Sequence, residues 1–167
     1  RLSAEQGNSE GQWGLGYMYA YGKGVEENFE EAVKWYHKSA EQGNPGGQWR
    51  LGYMYMSGKG VEQNYDEAMK WFSIAAEEGD ATAQYYLGIM HEEGLGCDTD
   101  CEEAEKWFRL SAEQGYSGAY NNIGVCYKNG EGVEKDYNEA LKWYRKAAEL
   151  GDPSAYNNIG VCYFTGI

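Results

Sequence analysis

Two cysteines and a histidine lie close together in the sequence and are the first residues to consider for chemistry. Cys97 and Cys101 are four positions apart, and His91 precedes Cys97 by six. A disulfide would close this loop if the two Cα atoms lay about 4.4–6.8 Å apart. The thiolates could instead bind zinc with His91 and Asp98 or Asp100, although no second cysteine pair is nearby. A third interpretation is two small buried thiols that substitute for other residues in a loop. The sequence alone leaves all three open, and we take Cys97 and Cys101 forward as a candidate disulfide and not as a metal site.

The other residue types used in catalysis do not form a recognisable site. Cys126 and Cys162 share one repeated position that is elsewhere Met, and neither has a histidine and an aspartate placed as in a catalytic triad. The GKG and GEG loops lack the Lys-Ser/Thr pair of a P-loop and the GxGxxG of dinucleotide-binding folds. Carboxylates fall mostly at helix caps and on solvent-facing positions, as at Glu30, Glu41 and Glu102. We therefore predict no catalytic residue, no metal site and no cofactor.

The charge balance restricts the classes of partner. The chain has 167 residues, of which 27 are acidic and 14 are basic, so its net charge is −13. Nucleic-acid binding relies on Lys and Arg that neutralise phosphates, which argues against nucleic acid as a partner. No stretch approaches about 18 consecutive apolar residues, so we predict no insertion into a membrane. Aromatic residues make up 16% of the chain, a composition typical of a packed protein.

A repeat of 36 residues runs through the chain. Self-similarity at a fixed period is the signature of repeat architectures. The clearest series are Gly16, Gly52, Gly88, Gly124 and Gly160; Gly22, Gly58, Gly94, Gly130 and Gly166; and Trp35, Trp71, Trp107 and Trp143. The high glycine content therefore marks the boundaries and contacts of repeated elements.

Each repeat is predicted to form two helices joined by a short GxGV-type loop. The first helix spans 45–57 in one repeat. It follows an Asn or Asp in the N-cap position, except in the repeat where Tyr116 takes that position, and it ends at a glycine of the Gly22 series. The second helix follows Asn28 and its equivalents, with Glu31 and its equivalents three residues later, which predicts a capping box. One helix pair cannot bury its apolar face alone, whereas stacked pairs can. The sequence thus predicts an all-α fold, a right-handed α-solenoid.

The repeated motifs closely resemble the Sel1-like repeat family, a relative of the tetratricopeptide repeat. The resemblance rests on LGYMY at 51–55, GKGV at 58–61 and ALKWYRKAAELG at 140–151, and it covers essentially the whole chain. It implies a single solenoid of helix-turn-helix repeats over residues 1–167. Residues 1–8 would end a preceding repeat, four full repeats would span 9–44, 45–80, 81–116 and 117–152, and 153–167 would form the first helix of a further repeat.

The resemblance also implies a function. Sel1-like proteins are generally adaptors that assemble protein complexes, so we expect a non-enzymatic scaffold with a protein or peptide ligand. Some bacterial relatives are secreted and cysteine-rich, with a disulfide in each repeat and enzyme-like or host-interaction activity. No cysteine occupies those positions here, which argues against that alternative. A third interpretation is a structural segment that stacks end to end on further repeats or on a second copy, because neither end has a polar capping helix.

By similarity to tetratricopeptide repeats, the first helices line the concave surface, which would bind a partner segment. Their outward positions are large and aromatic in the first two and a half repeats, as is typical of interface anchors. In the last two repeats they are mainly amides, which could pair with the backbone of an extended ligand. Alternatively, the rings pack between adjacent helices and the amides only face solvent. The predicted groove residues are Trp13, Tyr17, Tyr21, Trp49, Tyr53, Met56, Tyr85, Ile89, Asn121, Asn122, Val125, Lys128, Asn157, Asn158 and Phe164.

Overall fold

The computed structural model describes residues 2–164, and these residues form ten α-helices joined by turns and short loops. The helices are α1 (Leu2–Glu5), α2 (Ser9–Tyr21), α3 (Phe29–Ala40), α4 (Pro45–Ser57), α5 (Tyr65–Glu77), α6 (Ala81–Glu93), α7 (Cys101–Glu113), α8 (Ser117–Asn129), α9 (Tyr137–Glu149) and α10 (Pro153–Phe164). The first helices of the repeats are α2, α4, α6, α8 and α10, and the second helices are α3, α5, α7 and α9. The predicted all-α repeat fold is confirmed, and the helix predicted over 45–57 is α4. Gly166, predicted to end the last first helix, lies outside the described residues.

The chain forms two compact units, Arg1–Asp80 and Ala81–Ile167. In the first unit, each helix from α1 to α5 packs on the next, and α2 also contacts α4. In the second unit, α6 to α10 pack on one another in the same consecutive order. Within a unit, a second helix that is followed by a first helix packs on the first helices before and after it, as α3 does with α2 and α4. Each unit is a stack of helix pairs.

Side-chain caps begin most helices where the sequence has Asn or Asp. Asn8 Oδ1 accepts a hydrogen bond from the backbone N–H of Gly11 at 2.8 Å, and Asn28 Oδ1 accepts one from Glu31 at 2.9 Å. Tyr116 takes the N-cap position of α8 and makes no side-chain capping bond. The capping pattern read from the sequence is confirmed at these helices, because it depends on short-range contacts that any copy of the repeat can form.

The predicted capping box is only half formed. The backbone N–H of Asn28 donates to Tyr19 O at 2.9 Å and not to the Glu31 side chain. The Glu31 carboxylate instead accepts from Lys34 Nζ at 2.6 Å. The same two contacts recur at the starts of α5, α7 and α9. The expectation of a reciprocal bond is wrong because a carbonyl in the last turn of the first helix already satisfies that N–H.

A contact between a glycine and an aromatic ring joins the two helices of each repeat. Gly16 in α2 lies against the fully buried ring of Tyr36 in α3, where a Cβ atom would come within 2.7 Å of Tyr36 Cδ1. The same contact is formed by Gly52 with Phe72, Gly88 with Phe108 and Gly124 with Tyr144. The absence of a side chain at this position lets the helices approach closely enough to bury the ring.

A second kind of glycine contact joins neighbouring repeats. Gly60 has a φ of 70°, and a Cβ atom there would lie 2.3 Å from the backbone carbon of Phe29, the first residue of α3. Gly132 has a φ of 71°, and its Cβ atom would lie 2.1 Å from the backbone oxygen of Cys101, the first residue of α7. Both the left-handed backbone and the backbone contact require glycine at these positions.

A partly buried ion pair lies on α7, and its arginine contacts the neighbouring helices, which was not expected from the sequence. Glu105 is 7% exposed and accepts a hydrogen bond from Arg109 Nη2. Arg109 also donates to Tyr127 Oη in α8 at 3.3 Å, and its guanidinium lies 5.5 Å from the ring of Trp143 in α9. The acidic residues predicted to face solvent, such as Glu30, are exposed as expected, whereas Glu105 is an exception with a basic partner.

Candidate binding surface

The predicted groove residues of the first unit form a connected aromatic surface. Trp13, Tyr17 and Tyr21 follow one another at every fourth position of α2, which places them on one face of the helix. The ring centroids of Trp13 and Tyr17 are 6.2 Å apart, and those of Tyr17 and Tyr21 are 4.6 Å apart. The residues that belong to α4 are Trp49, Tyr53 and Met56, which are half-buried.

Trp13 contributes to packing as well as to this surface. A Cβ atom on Gly46 in α4 would lie 2.8 Å from Trp13 Nε1, so the indole rests against the backbone of the neighbouring first helix. Its Nε1–H is buried and has no hydrogen-bond acceptor in the described residues. Tyr21, in contrast, is 50% exposed. Trp13 thus fits the packing alternative better than a ligand contact, while Tyr21 is available to a partner.

Arg50 lies at the centre of the aromatic surface, although the sequence did not single it out. Its guanidinium carbon is 4.0 Å from the ring centroid of Trp49, 5.5 Å from that of Tyr21 and 5.6 Å from that of Tyr17. Arg50 Nη1 donates to Tyr21 Oη at 2.7 Å. Its buried Nε–H has no acceptor within residues 2–164. The cation is held between rings with part of its donor capacity unused.

Two lysines lie at the loop end of the same surface. Lys23 Nζ donates to Tyr17 Oη at 2.9 Å and lies 4.7 Å from the centroid of that ring. This hydrogen bond, with the positive charge of Lys23, lowers the pKa of Tyr17. Lys59 Nζ lies 5.9 Å from the ring centroid of Tyr53. We call Arg50, Lys23, Lys59 and the rings that they contact the Arg50 cluster.

In the second unit, one of the two predicted aromatic residues, Tyr85, is mainly a packing residue. Tyr85 in α6 has its ring centroid 4.8 Å from that of Tyr116 and 5.9 Å from that of Phe108. A Cβ atom on Gly118 in α8 would lie 3.3 Å from Tyr85 Cε2. Burial raises the pKa of Tyr85 to about 12. Tyr85 therefore fills the space between α6 and α8, as Trp13 does between α2 and α4.

The predicted amides of the second unit are partly paired with each other. Asn158 Nδ2 in α10 donates to Asn121 Oδ1 in α8 at 2.9 Å. A cavity of about 380 Å³ lies beside them and is lined by Tyr85, Tyr116, Ser117, Gly118, Asn121, Asn122, Gly151, Asp152, Pro153 and Ser154. Because the Asn121 carbonyl already accepts a bond, its free group is the amide N–H₂, a donor suited to a peptide carbonyl.

The remaining predicted residues differ in exposure. Ile89, Val125 and Lys128 are half-buried, and Asn157 is exposed. Phe164 is 92% exposed at the end of α10. The predicted set is divided between the two units, six residues in the first and nine in the second. One continuous groove along all five first helices stays a prediction, as does end-to-end stacking.

The structure holds all four cysteines as free thiols. Cys97 Sγ is 3.7 Å from both Met90 O and His91 Nδ1, and burial raises the pKa of Cys97 and of Cys101. A disulfide between them in oxidised protein stays a prediction. No group of three or more His, Cys, Asp or Glu side chains in residues 2–164 is placed to hold a metal ion. The zinc interpretation therefore has no site in this part of the chain.

Burial has a larger effect on Cys126. This thiol lies in the core of the second unit, where burial raises its pKa to about 12. The thiolate that nucleophilic chemistry requires is therefore nearly absent at neutral pH. Cys126 is an apolar core residue, as its shared position with methionine indicates.

None of the helices within residues 2–164 is both long enough and apolar enough to span a bilayer.

Sequence comparison identifies one repeat type along the chain. The Sel1 repeat family matches residues 9–44, 45–80, 81–116, 117–152 and 153–167. No curated protein matches the chain.

Several solved structures are similar to this chain over most of its length. A Sel1 repeat protein from Oxalobacter formigenes is 42% identical with a TM-score of 0.90, over 96% of this chain and 64% of its own. The protein c5321, a protective antigen present in uropathogenic Escherichia coli strains and displaying an SLR fold, is 38% identical with a TM-score of 0.91, over 99% of this chain and 35% of its own. Cysteine-rich protein B of Helicobacter pylori, at 22% identity and a TM-score of 0.60 over 77% of this chain and 92% of its own, shares the fold.

This chain spans about a third of the length of c5321 and just under two thirds of that of the Oxalobacter protein. The resemblance read from the sequence motifs is confirmed, because the family matches cover nearly every residue and the structures agree. From the repeated helix pairs, their glycine contacts and these matches, the chain belongs to the Sel1 repeat family.

Proposed function

We propose that this chain is a non-enzymatic scaffold that binds a peptide or an extended segment of a partner protein on its first helices. Sel1 repeat proteins generally serve as protein–protein interaction scaffolds. The proposal assigns that general role to one surface in each unit, the outward face of α2 and α4 in the first unit and the outward face of α8 in the second.

The observation that carries the proposal is the aromatic surface of the first unit. Tyr and Trp are enriched at protein interfaces because they combine a large apolar area with a polar group and lose little conformational entropy on binding. Tyr17, Trp49 and Tyr53 are half-buried and Tyr21 is 50% exposed, so each ring leaves part of its area accessible. Rings already fixed by their neighbours need little ordering when a ligand binds.

The amides of the second unit support the same mode of binding. Asn122 is half-buried beside the cavity, and Asn121 keeps its N–H₂ donors. Carboxamides that offer both donors and acceptors can pair with the main chain of an extended peptide irrespective of its sequence. Aromatic contacts would then supply affinity, and the amides would supply orientation.

Selection from a displayed library of random peptides, followed by titration of the selected peptides, tests the proposal. We expect Trp49→Asn and Tyr21→Ser to weaken binding about 10- to 30-fold, the range for interface anchors. Both substitutions introduce the residue found at the same repeat position elsewhere, Asn121 and Ser57, so the helices are expected to keep their structure.

Leu150→Ala is the matched control, because Leu150 is 52% exposed and lies outside the first helices. Thermal unfolding of each variant separates lost binding from lost folding. Peptides that bind wild type and the folded Trp49→Asn and Tyr21→Ser variants equally would contradict the proposed surface. Failure to select any peptide would contradict peptide binding altogether.

A further inference from the structure

We infer that the Arg50 cluster recognises a carboxylate, so that the partner segment bound by the first unit contains Asp or Glu next to apolar residues. This inference rests on the proposed function and names the chemistry of its ligand. The charge of this surface differs from the charge of the whole chain.

The first helices of the first unit are almost free of acidic residues. In a chain with 27 acidic residues, the charged residues of α2 and α4 are Glu10 and Arg50. Glu10 lies in the first turn of α2, away from the cluster in sequence, and accepts a hydrogen bond from Asn44 Nδ2 at 2.9 Å. Arg50 therefore stands on the outward surface without an acidic neighbour on either helix.

Two lysines on second helices of the same unit are paired with carboxylates, whereas a third, Lys38, lies over the ring of Trp35. Lys34 forms an ion pair with Glu31 at 2.6 Å, and Lys70 forms one with Glu67 at 3.2 Å, both on second helices. Arg50, Lys23 and Lys59 instead contact aromatic rings and have no ion pair with a carboxylate in the part of the chain that the structure describes. Three positive charges thus lie near one surface with their carboxylate partner absent.

The geometry of Arg50 suits a carboxylate more than another ligand. A guanidinium can bind a carboxylate through two parallel N–H···O bonds, and such charge-assisted bonds are about twice as strong as neutral ones. The hydrogen bond to Tyr21 uses Nη1 and the Nε–H is buried, whereas Nη2 makes no hydrogen bond within residues 2–164 and is the donor left to a ligand. The rings of Trp49, Tyr21 and Tyr17 lie beside the guanidinium, and a polar contact made next to apolar surface is stronger than one made in bulk water.

Other ligand classes fit this surface less well. A basic segment would be repelled by three cations. A cationic ligand that binds in an aromatic cage would compete with Arg50, which is already stacked on Trp49. A nucleic acid requires a row of phosphate contacts, whereas the net charge of −13 repels a polyanion. A short segment with one or two carboxylates gains the local attraction and leaves its apolar residues to the rings of Tyr17 and Tyr53.

The experiment is a selection of random displayed peptides against the wild-type chain, with Arg50→Asn and Lys34→Met as test and control. Asn is the residue at the same repeat position in Asn122 and Asn158, so Arg50→Asn is compatible with the helix. Lys34→Met removes one positive charge from a second helix. We expect the selected peptides to be enriched in Asp or Glu beside aromatic or aliphatic residues. We expect Arg50→Asn to weaken their binding about 10- to 100-fold and Lys34→Met to change it less than about twofold.

Replacement of the acidic residue of a selected peptide by its amide is the reciprocal test. It should weaken binding to wild type by a similar factor and have little further effect on Arg50→Asn, because the two changes remove the same contact. Arg50→Lys, which keeps the charge and loses the planar fork, should fall between wild type and Arg50→Asn. Thermal unfolding confirms that each variant is folded.

Three outcomes would overturn the inference. The first is a set of selected peptides without excess acid that still requires Trp49 and Tyr21, which would leave the proposed function intact. The second is unchanged affinity of a folded Arg50→Asn variant for acidic peptides. The third is much tighter binding when phosphoserine replaces the acidic residue, which would make phosphate the ligand. Failure to select any peptide that depends on Trp49 or Tyr21 contradicts the proposed function itself.

Discussion

The hydroxyl groups of Tyr36 and Tyr144 are buried and lack a hydrogen-bond partner within residues 2–164. The same repeat position is Phe in the two middle repeats, at Phe72 and Phe108. All four rings are fully buried against a glycine of the first helix. An unsatisfied buried hydroxyl costs about 1–3 kcal/mol, so the phenylalanines are the better solution for this contact.

Tyr144→Phe should therefore stabilise the protein. We expect the free energy of unfolding to rise by about 1 kcal/mol, measured by denaturant titration at neutral pH. Phe108→Tyr is the reverse control in the same unit and should lower it by a similar amount. A Tyr144→Phe variant that is less stable than wild type would mean that the hydroxyl has a partner, such as a buried water.

The same variant should change the response to alkaline pH. Burial raises the pKa of Tyr144 above its usual value of about 10, and it raises that of Cys126 to about 12. In the unfolded chain these groups ionise at their usual pKa values, so the unfolded state loses protons first and stability falls as pH rises above about 8.5. In Tyr144→Phe the fall above about pH 10 should be shallower, by at most about 1.4 kcal/mol per pH unit. Stability of wild type that stays constant up to about pH 11 would contradict this expectation.

Residues that break the repeat were the hardest to interpret from the sequence. Arg50 shares its position with Gly14, Tyr86 and Asn122, so the repeat pattern contains no signal for it. Only the structure shows that Arg50 contacts aromatic rings from two helices, α2 and α4. In the sequence, Glu105 likewise resembled the many solvent-facing acidic residues. In the structure it is buried and accepts a hydrogen bond from Arg109 on the next turn.

The close approach of α2 and α3 depends on Gly16 of α2 and not on Gly14, two positions before it. A Cβ atom at Gly16 would come within 2.7 Å of the Tyr36 ring, whereas one at Gly14 has no atom outside its own helix within 4 Å. Both residues lie in the interior of the same helix. The pair thus separates the effect of helix packing from the intrinsic helix propensity of glycine.

Gly16→Ala and Gly14→Ala should have opposite effects on stability. Overpacking against the buried ring should cost about 1–3 kcal/mol, more than the roughly 1 kcal/mol that alanine contributes to helix propensity. Gly14→Ala gains the higher helix propensity of alanine without a clash and should stabilise the chain by about 0.5–1 kcal/mol. Chemical denaturation of both variants provides the measurement. Equal effects at the two positions would show that the glycine–ring contact does not limit the helix separation.

The helices were predictable because their signals are short-range and repeated. An Asn or Asp cap, a glycine at the end and a 36-residue period recur in several copies, so an irregular copy such as the uncapped α8 does not obscure the pattern. Which aromatic residues stay accessible was not predictable. Trp13 and Tyr21 have similar side chains and lie on one face of α2, and only the position of Gly46 shows that Trp13 is covered.

The net charge of −13 acts on the protein as a whole. Charges of one sign repel one another and destabilise the compact state. The ion pairs that oppose this repulsion are mostly exposed pairs on second helices, such as Lys34 with Glu31, each worth only about 0.2–1 kcal/mol. We therefore expect repulsion to dominate the response of the folded chain to ionic strength.

Thermal unfolding in NaCl tests this expectation. Between about 0.01 M and about 1 M salt the Debye length falls from about 30 Å to about 3 Å, so the unfolding temperature should rise by several degrees. The rise should vanish near pH 4.5, the isoelectric point of the sequence, where the net charge is zero. An unfolding temperature that falls with salt at neutral pH would mean that the ion pairs outweigh the repulsion.

The backbone contacts of Gly60 and Gly132 have a consequence for how such chains change during evolution. In each unit, one contact between neighbouring repeats is made by main-chain atoms, at Phe29 in the first unit and at Cys101 in the second. This contact does not depend on the exposed side chains of the first helices. We therefore expect that exposed residues can be exchanged one at a time without altering this contact, so that the surface of a first helix can change while the stack keeps its dimensions.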